Sequence, residues 1–241
     1  MNAIIISNKS KTARALAQEL GIVSNPNVLT AENQNVIRWG TTRTLSISGK
    51  ELNKAEAVKL ASNKAKARQV LLEAGLPVPT PTETMFPVIG RTERHSQGSG
   101  FFICHNEADV ERAKARGAVY FSQFYPKQNE YRVHVAGNRA ILMSIKEGDK
   151  NQYIWNKRKS GFTFRHLRRS VWLEDEHLRN MVRSAKKAVK ALGLDFGAVD
   201  IMADADGSYA PFVISEVNTS PALSPLAVQK YAKYFREELA I

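Results

Sequence analysis

The sequence holds a single cysteine, Cys104, which leaves no partner for an internal disulfide and no Cys-x-x-Cys metal knuckle. Long apolar runs are missing too. The opening "NAIIIS" is too short to span a bilayer and passes into a polar helical stretch rather than a small-residue cleavage site. Neither a membrane segment nor a secretion signal is expected, and the reducing cytoplasm is the expected location. Acids are scarce against bases: 23 Asp and Glu stand against 35 Lys and Arg in 241 residues, a formal charge of +12 with a pI near 9.8. That surplus predicts attraction to nucleotide phosphates, an acidic polypeptide or nucleic acid. Histidine spacing suggests no metal or catalytic pair among His95, His105, His134 and His166.

What is present reads as an α/β (α+β) protein with room for a sizeable core. "NAIIIS" and "NVIRWG" predict strands around the helix "KTARALAQELG", which stops at Gly21. A further helix is expected along "KAEAVKLASNKAKARQVLLEAG", ending at Gly75 before the breaker-rich "LPVPTPTETMFP". "FPVIGR" predicts a strand, and "TERHSQGSGFFI" a polar loop returning into another, its glycines 98 and 100 able to bring backbone N–H groups to an anion. An ordinary hairpin tip explains the same glycines. "EYRVHVAGNRAILMSIK" predicts a hairpin around Gly137-Asn138, and Leu178, Met181, Val182, Ala185, Ala188, Val189 and Leu192 fall at helical spacing.

The stretch "FVISEVNTSPAL" carries most chemistry. Alternation puts Phe212, Ile214, Glu216 and Asn218 on one face of a strand, turning it from apolar to oxygen-bearing at its exit. A carboxylate and an amide there suit Mg²⁺, which takes one or two carboxylates and completes its shell with substrate phosphates; a solvated strand end is the alternative. The turn "DADGS" folds the preceding strand back, so that Asp200 approaches Glu216. The run "NKRKSGFTFRHLRR", residues 156–169, has no acid.

Together these pieces resemble the ATP-grasp superfamily, most closely its amino-acid ligase branch related to the ribosomal-protein glutamate ligases. The resemblance runs from about Lys64 to the C-terminus and rests on "AVDIMADADGSYAPFVISEVNTSPAL", with sixteen residues from Asp200 to Glu216 and two more to Asn218. It implies two α+β lobes clasping ATP, divided as a small N-terminal α/β domain over 1–60, a central lobe with a glycine-rich flap over 61–126 and a C-terminal lobe over 127–241. It implies that Asp200, Glu216 and Asn218 hold Mg²⁺, expected as two ions, with Mn²⁺ able to stand in. Lys64 and Arg91 match phosphate-contacting positions, though the family usually has lysine where Arg91 stands. Gly98, Ser99 and Gly100 match the flap, and Gln123, Phe124 and Tyr125 the adenine site. Glu130 matches the ribose contact. Arg132, Lys146, Asn156 and, more weakly, Arg158 match positions beside the reacting group.

The implied chemistry is ATP-dependent ligation of a carboxylate to an amine through an acylphosphate, releasing ADP, with an amino acid joined to an amino acid, peptide or protein. The 157–169 run would then hold an acidic chain. Two alternatives stay open: a nucleic-acid-associated protein in which Tyr153, Trp155, Phe162 and Phe164 stack on bases, and a nucleotide-binding protein without ligase turnover.

Overall fold

The computed structural model describes residues 2–8, 10–25, 27, 30–31, 34–92, 100–149, 161–203 and 210–241. The chain opens with β1 (Asn2–Ser7), α1 (Lys11–Leu20), β2 (Val23–Ser24), β3 (Thr30–Ala31), β4 (Gln34–Trp39), β5 (Ser46–Ile47) and β6 (Glu51–Leu52). These form a parallel sheet in the order β2-β1-β4-β6 beside the small pair β3-β5. The Ser10 hydroxyl caps α1 by accepting from the Ala13 N–H, and Gly21 ends it in the left-handed conformation.

The single helix expected next is two, α2 (Ala55–Ser62) and α3 (Lys64–Glu73). Asn63 divides them. Its backbone is extended, and its side chain accepts from the Lys66 N–H at 3.0 Å, the local bond by which Asn competes with a helix interior and favours a cap. The break makes Lys64 the first residue of a new helix. The central unit follows as β7 (Val88–Thr92), β8 (Phe101–Cys104), α4 (Glu107–Ala115) and β9 (Ala118–Gln123), an antiparallel sheet ordered β8-β7-β9. Val88, Cys104, Val110, Ala113 and Phe121 give it a core of its own.

The remainder comprises β10 (Asn129–Ala136), β11 (Arg139–Glu147), β12 (Thr163–His166), α5 (Arg169–Glu174), α6 (Glu176–Ala191), β13 (Phe196–Ala203), β14 (Phe212–Asn218) and α7 (Pro225–Leu239). Its antiparallel sheet runs β12-β11-β10-β13-β14, and the Gly137-Asn138 turn joins β10 to β11 as expected. One face of the sheet, with Val133, Val135, Val199 and Ile201, packs on α6 and on α2 and α3 in the largest core. Ala57 and Val58, ahead of the expected division at residue 60, are buried there. The other face is covered at one end by α7. Ala136, Phe196, Tyr231 and Phe235 share a core there with Ile5, Leu16 and Trp39 of the first unit. Among the described residues no helix covers the opposite end of that face, and the candidate site lies on it. Among the described residues, no helix is long and apolar enough to cross a membrane.

Candidate active site

Directly paired residues on neighbouring strands point to the same face of a sheet. The register sets Glu216, Asp200, Arg132, Ser144 and His166 in one row across β14, β13, β10, β11 and β12, with Met202, Glu130, Lys146 and Phe164 in the next. The single face expected for Phe212, Ile214, Glu216 and Asn218 is broken by a bulge: Phe212 and Ile214 pair with Ala203 and Ile201 on the core face, whereas Glu216 pairs with Asp200 and Asn218 with Ala198 on the other. The bulged strand's Ser215 hydroxyl donates to the Asp200 carbonyl at 3.0 Å.

Arg132 grips Asp200 with two bonds, Nε to Oδ1 at 2.6 Å and Nη2 to Oδ2 at 2.8 Å. The Asn218 amide donates to Asp200 Oδ2 and to Glu216 Oε1, each at 3.0 Å, so one nitrogen ties the two acids together. Lys64 Nζ lies 2.5 Å from Glu216 Oε2; the break at Asn63 is what turns it from a mid-helix residue into the head of α3. Glu130 sits between two lysines, accepting from Lys146 at 2.6 Å and from Lys127. Two aromatic rings close the cationic side: Arg132 lies 4.6 Å from the Phe164 ring centre and Lys146 lies 4.5 Å from that of Phe162.

Burial and charge pull against each other here. Burial raises the Asp200 carboxyl against the pull of Arg132, and the Glu216 charge adds to the rise. Burial would raise Glu216 as well, but Lys64, the Asn218 amide and Arg132 outweigh it and hold the carboxyl at about 2. Burial lowers the Lys127 ammonium although Glu130 opposes it. Two rows of acids and bases thus neutralise one another at an open sheet end.

Asp200, Glu216, Asn218, Lys64, Arg132, Lys146 and Glu130, all singled out from sequence, gather in this cluster. Gln123, Phe124 and Tyr125 line a separate cavity of about 250 Å³ with Val78, Thr80 and Val213, and the Tyr125 hydroxyl donates to the Ala210 carbonyl at 2.8 Å. Arg91 lies on β7, its guanidinium 4.6 Å from the Phe101 ring centre. Gly100 has a left-handed φ of +59°, and a Cβ there would collide with Thr92. Gly98, Ser99, Asn156, Arg158, Tyr153 and Trp155 lie outside the described residues. Sequence reading missed Lys127, three residues before Glu130, and it missed the partners of His166. The His166 imidazole bonds Ser144 Oγ through Nδ1 at 2.8 Å and Ser224 Oγ through Nε2 at 2.9 Å.

The donor set fits a hard cation. Among the described residues no three His, Cys, Asp or Glu side chains gather in one place. Two carboxylates and an amide are what the described residues offer here, the share that Mg²⁺ takes from a protein when phosphates and water supply the rest. Asp200 and Glu216 would hold it, with Asn218 beside them.

No family model matches the chain. A probable alpha-L-glutamate ligase of Haemophilus influenzae strain Rd is 26% identical over 230 residues, spanning 83% of this chain and 72% of that protein. The ATP-grasp ligase PsnB, in complex with a phosphomimetic variant of minimal precursor, Mg and ADP, superposes with a TM-score of 0.69 at 14% identity, covering 98% of each chain. D-alanine–D-alanine ligase from Bacillus anthracis, complexed with ATP, gives 0.65 at 13% identity over 100% of this chain and 96% of that one. The fold is ATP-grasp. By sequence the chain is similar to a probable glutamate ligase, and by fold to ATP-grasp ligases.

Proposed function

We propose that this protein joins an amino acid to the amine of another amino acid, a peptide or a protein, through an acylphosphate formed at the Asp200–Glu216 end of the sheet. The observation that carries the reading is the cross-strand row in which Arg132, Asp200 and Glu216 stand side by side with one amide bridging the acids. A substrate carboxylate oxygen attacks the γ-phosphorus of ATP, the bond to the β-phosphate oxygen breaks and ADP leaves. The amine nitrogen then attacks the acyl carbon, phosphate departs and the nitrogen gives up a proton.

Asp200, Glu216 and Asn218 would hold Mg²⁺, whose charge would offset the repulsion between the two anions that react first. The chain's own part is positional and electrostatic. Lys64, Arg132 and Lys146 carry fixed positive charge at the sheet end, suited to the spread charge of a transferring phosphoryl group. Gln123, Phe124 and Tyr125, lining the cavity of about 250 Å³, supply the purine site, and Glu130 the ribose contact. Arg91 and the flap glycines cover the phosphates.

The likeness to a probable glutamate ligase and the basic balance of the chain, which favours an acidic acceptor, support this substrate class. PsnB, its likeness in fold, was captured with a precursor. Phe162 and Phe164 lie against Lys146 and Arg132 inside the site, so base stacking by these two rings finds no support. The test is ADP release with Mg-ATP across pooled amino acids, polyamines and acidic peptides, with Glu216→Ala beside the wild type. Stimulation by one pool, lost in the variant, is the expected result. Nucleotide binding without stimulation by any pool would overturn the ligation reading.

A further inference from the structure

The segment 219–224 leaves β14 directly after Asn218 and enters α7 at Ser224. It does not stay at that edge of the sheet. Ser224 Oγ is 2.9 Å from Nε2 of His166, which belongs to β12 at the opposite edge. Strands lie roughly 4.8 Å apart, so β14 and β12 are separated by roughly 19 Å, and six residues reach roughly 20 Å at full extension. The segment thus passes over the sheet as a strap, bent at Thr219 and Ser220. Asn218 starts it among the acids. Gly40 of the first unit meets it midway, so closely that a Cβ there would collide with Ser220. His166 fixes the far end, braced from below by the buried Ser144 hydroxyl at 2.8 Å.

What the strap borders gives it a role. Thr219 and Ser220 line a cavity of about 210 Å³ together with Gly40, Ser62, Lys64 and Asn218. That cavity abuts the acids at the other end of β14 from the Gln123–Tyr125 cavity. At roughly 30 Å³ per water it holds roughly seven waters, the bulk of an amino acid. We infer that His166 is a positioning residue which, through Ser224, holds the strap as the wall of the pocket for the small non-nucleotide substrate. The inference rests on the ligase reading for the identity of that substrate. It does not rest on it for the mounting of the strap.

The experiment pairs hydrogen exchange of the peptide spanning 219–227 with steady-state kinetics on wild type, His166→Ala and His166→Gln. His166→Ala is expected to speed exchange in this peptide about tenfold while β10 and β13 stay as protected as before. It is expected to raise KM for the small substrate about tenfold with KM for ATP within twofold. His166→Gln, whose amide nitrogen can donate to Ser224 Oγ, should recover most of both. Unchanged exchange in His166→Ala, or a parallel rise in both KM values, overturns the inference. Should His166→Ala fail to fold, Ser144→Ala, which removes only the Nδ1 partner, decides by the same two readouts, with smaller shifts in the same direction expected. If the wild type turns over with no pool, the ligase reading fails, and the exchange result alone then judges the mounting.

Discussion

Replacing Asn53 tests how the first unit is fastened to the site-bearing sheet. Asn53 is fully buried at a left-handed φ of +62°. Its side-chain oxygen accepts from the N–H groups of Asp195 at 2.8 Å and Phe196 at 3.1 Å, and its amide donates to the Phe196 carbonyl at 3.0 Å. β14 begins pairing with β13 only at Ala198, so this side chain finishes the ladder where no strand continues. Asn53→Ala leaves two backbone donors and one acceptor without partners, each costing about 1–3 kcal/mol when buried. Holding alanine in the left-handed region adds about 1 kcal/mol. The expected loss is about 4–6 kcal/mol, because local relaxation returns part of the sum. Since a domain of this kind is stable by about 5–15 kcal/mol, the variant should still fold, with a urea midpoint lower by about 2 M for a slope near 2–3 kcal/mol/M. Asn53→Gly loses the same bonds without the backbone penalty and should be about 1 kcal/mol milder. A destabilisation below about 1 kcal/mol in Asn53→Ala, measured by equilibrium urea unfolding, would refute the reasoning.

Other perturbations reach the site and its surroundings. Arg132→Lys keeps a charge but gives up the two-pronged grip on Asp200, and ADP release should fall by about a hundredfold with little loss of melting temperature; activity within threefold of wild type would argue against a role for guanidinium geometry. Burial, with Arg132 and His166 nearby, lowers His134 to about 3, against about 6.5 in an unfolded chain. Between those values the unfolded state binds the extra proton, so stability should drop as pH falls below about 6.5, by about 1.4 kcal/mol per unit and about 2 kcal/mol by pH 5. Urea unfolding from pH 7 to 5 should show that slope in the wild type and lose it in His134→Leu. Gly40→Ala meets both the strained φ of +69° and the Ser220 side chain; a loss of about 2–3 kcal/mol and weakened turnover are expected, and calorimetry indistinguishable from wild type would contradict the contact.

The features legible in the sequence are those written in short periods. The hairpin at Gly137-Asn138 and the apolar run from Phe212 identify strands, and the sixteen-residue step from Asp200 to Glu216 points to a pair that the register places side by side. Strict alternation misassigns the face of Glu216, however, because it does not show the extra residue Ser215. The split at Asn63 was hidden because Ala, Lys and Leu on both sides are good helix formers, while the amide's local cap decides the break. α7 escaped notice although Ser224-Pro225 is a helix-start signal and Ala227, Tyr231, Tyr234 and Phe235 share a face. The bonds from His166 to Ser224 and from Asn53 to Phe196 join residues 58 and 143 positions apart. No local pattern announces such contacts, because they exist only once the topology has brought distant segments together.

The packing of α7 on α1 carries a consequence for synthesis. Leu16 and Ile5 share their core with Tyr231 and Phe235, the Asn35 amide donates to the Leu239 carbonyl at 3.4 Å, and Lys50 pairs with Glu238. The strands of the first unit are therefore sealed late: their sheet waits, one apolar side uncovered, until α7 has emerged. Such long-range closure slows folding and leaves that sheet a natural client for chaperones until α7 docks.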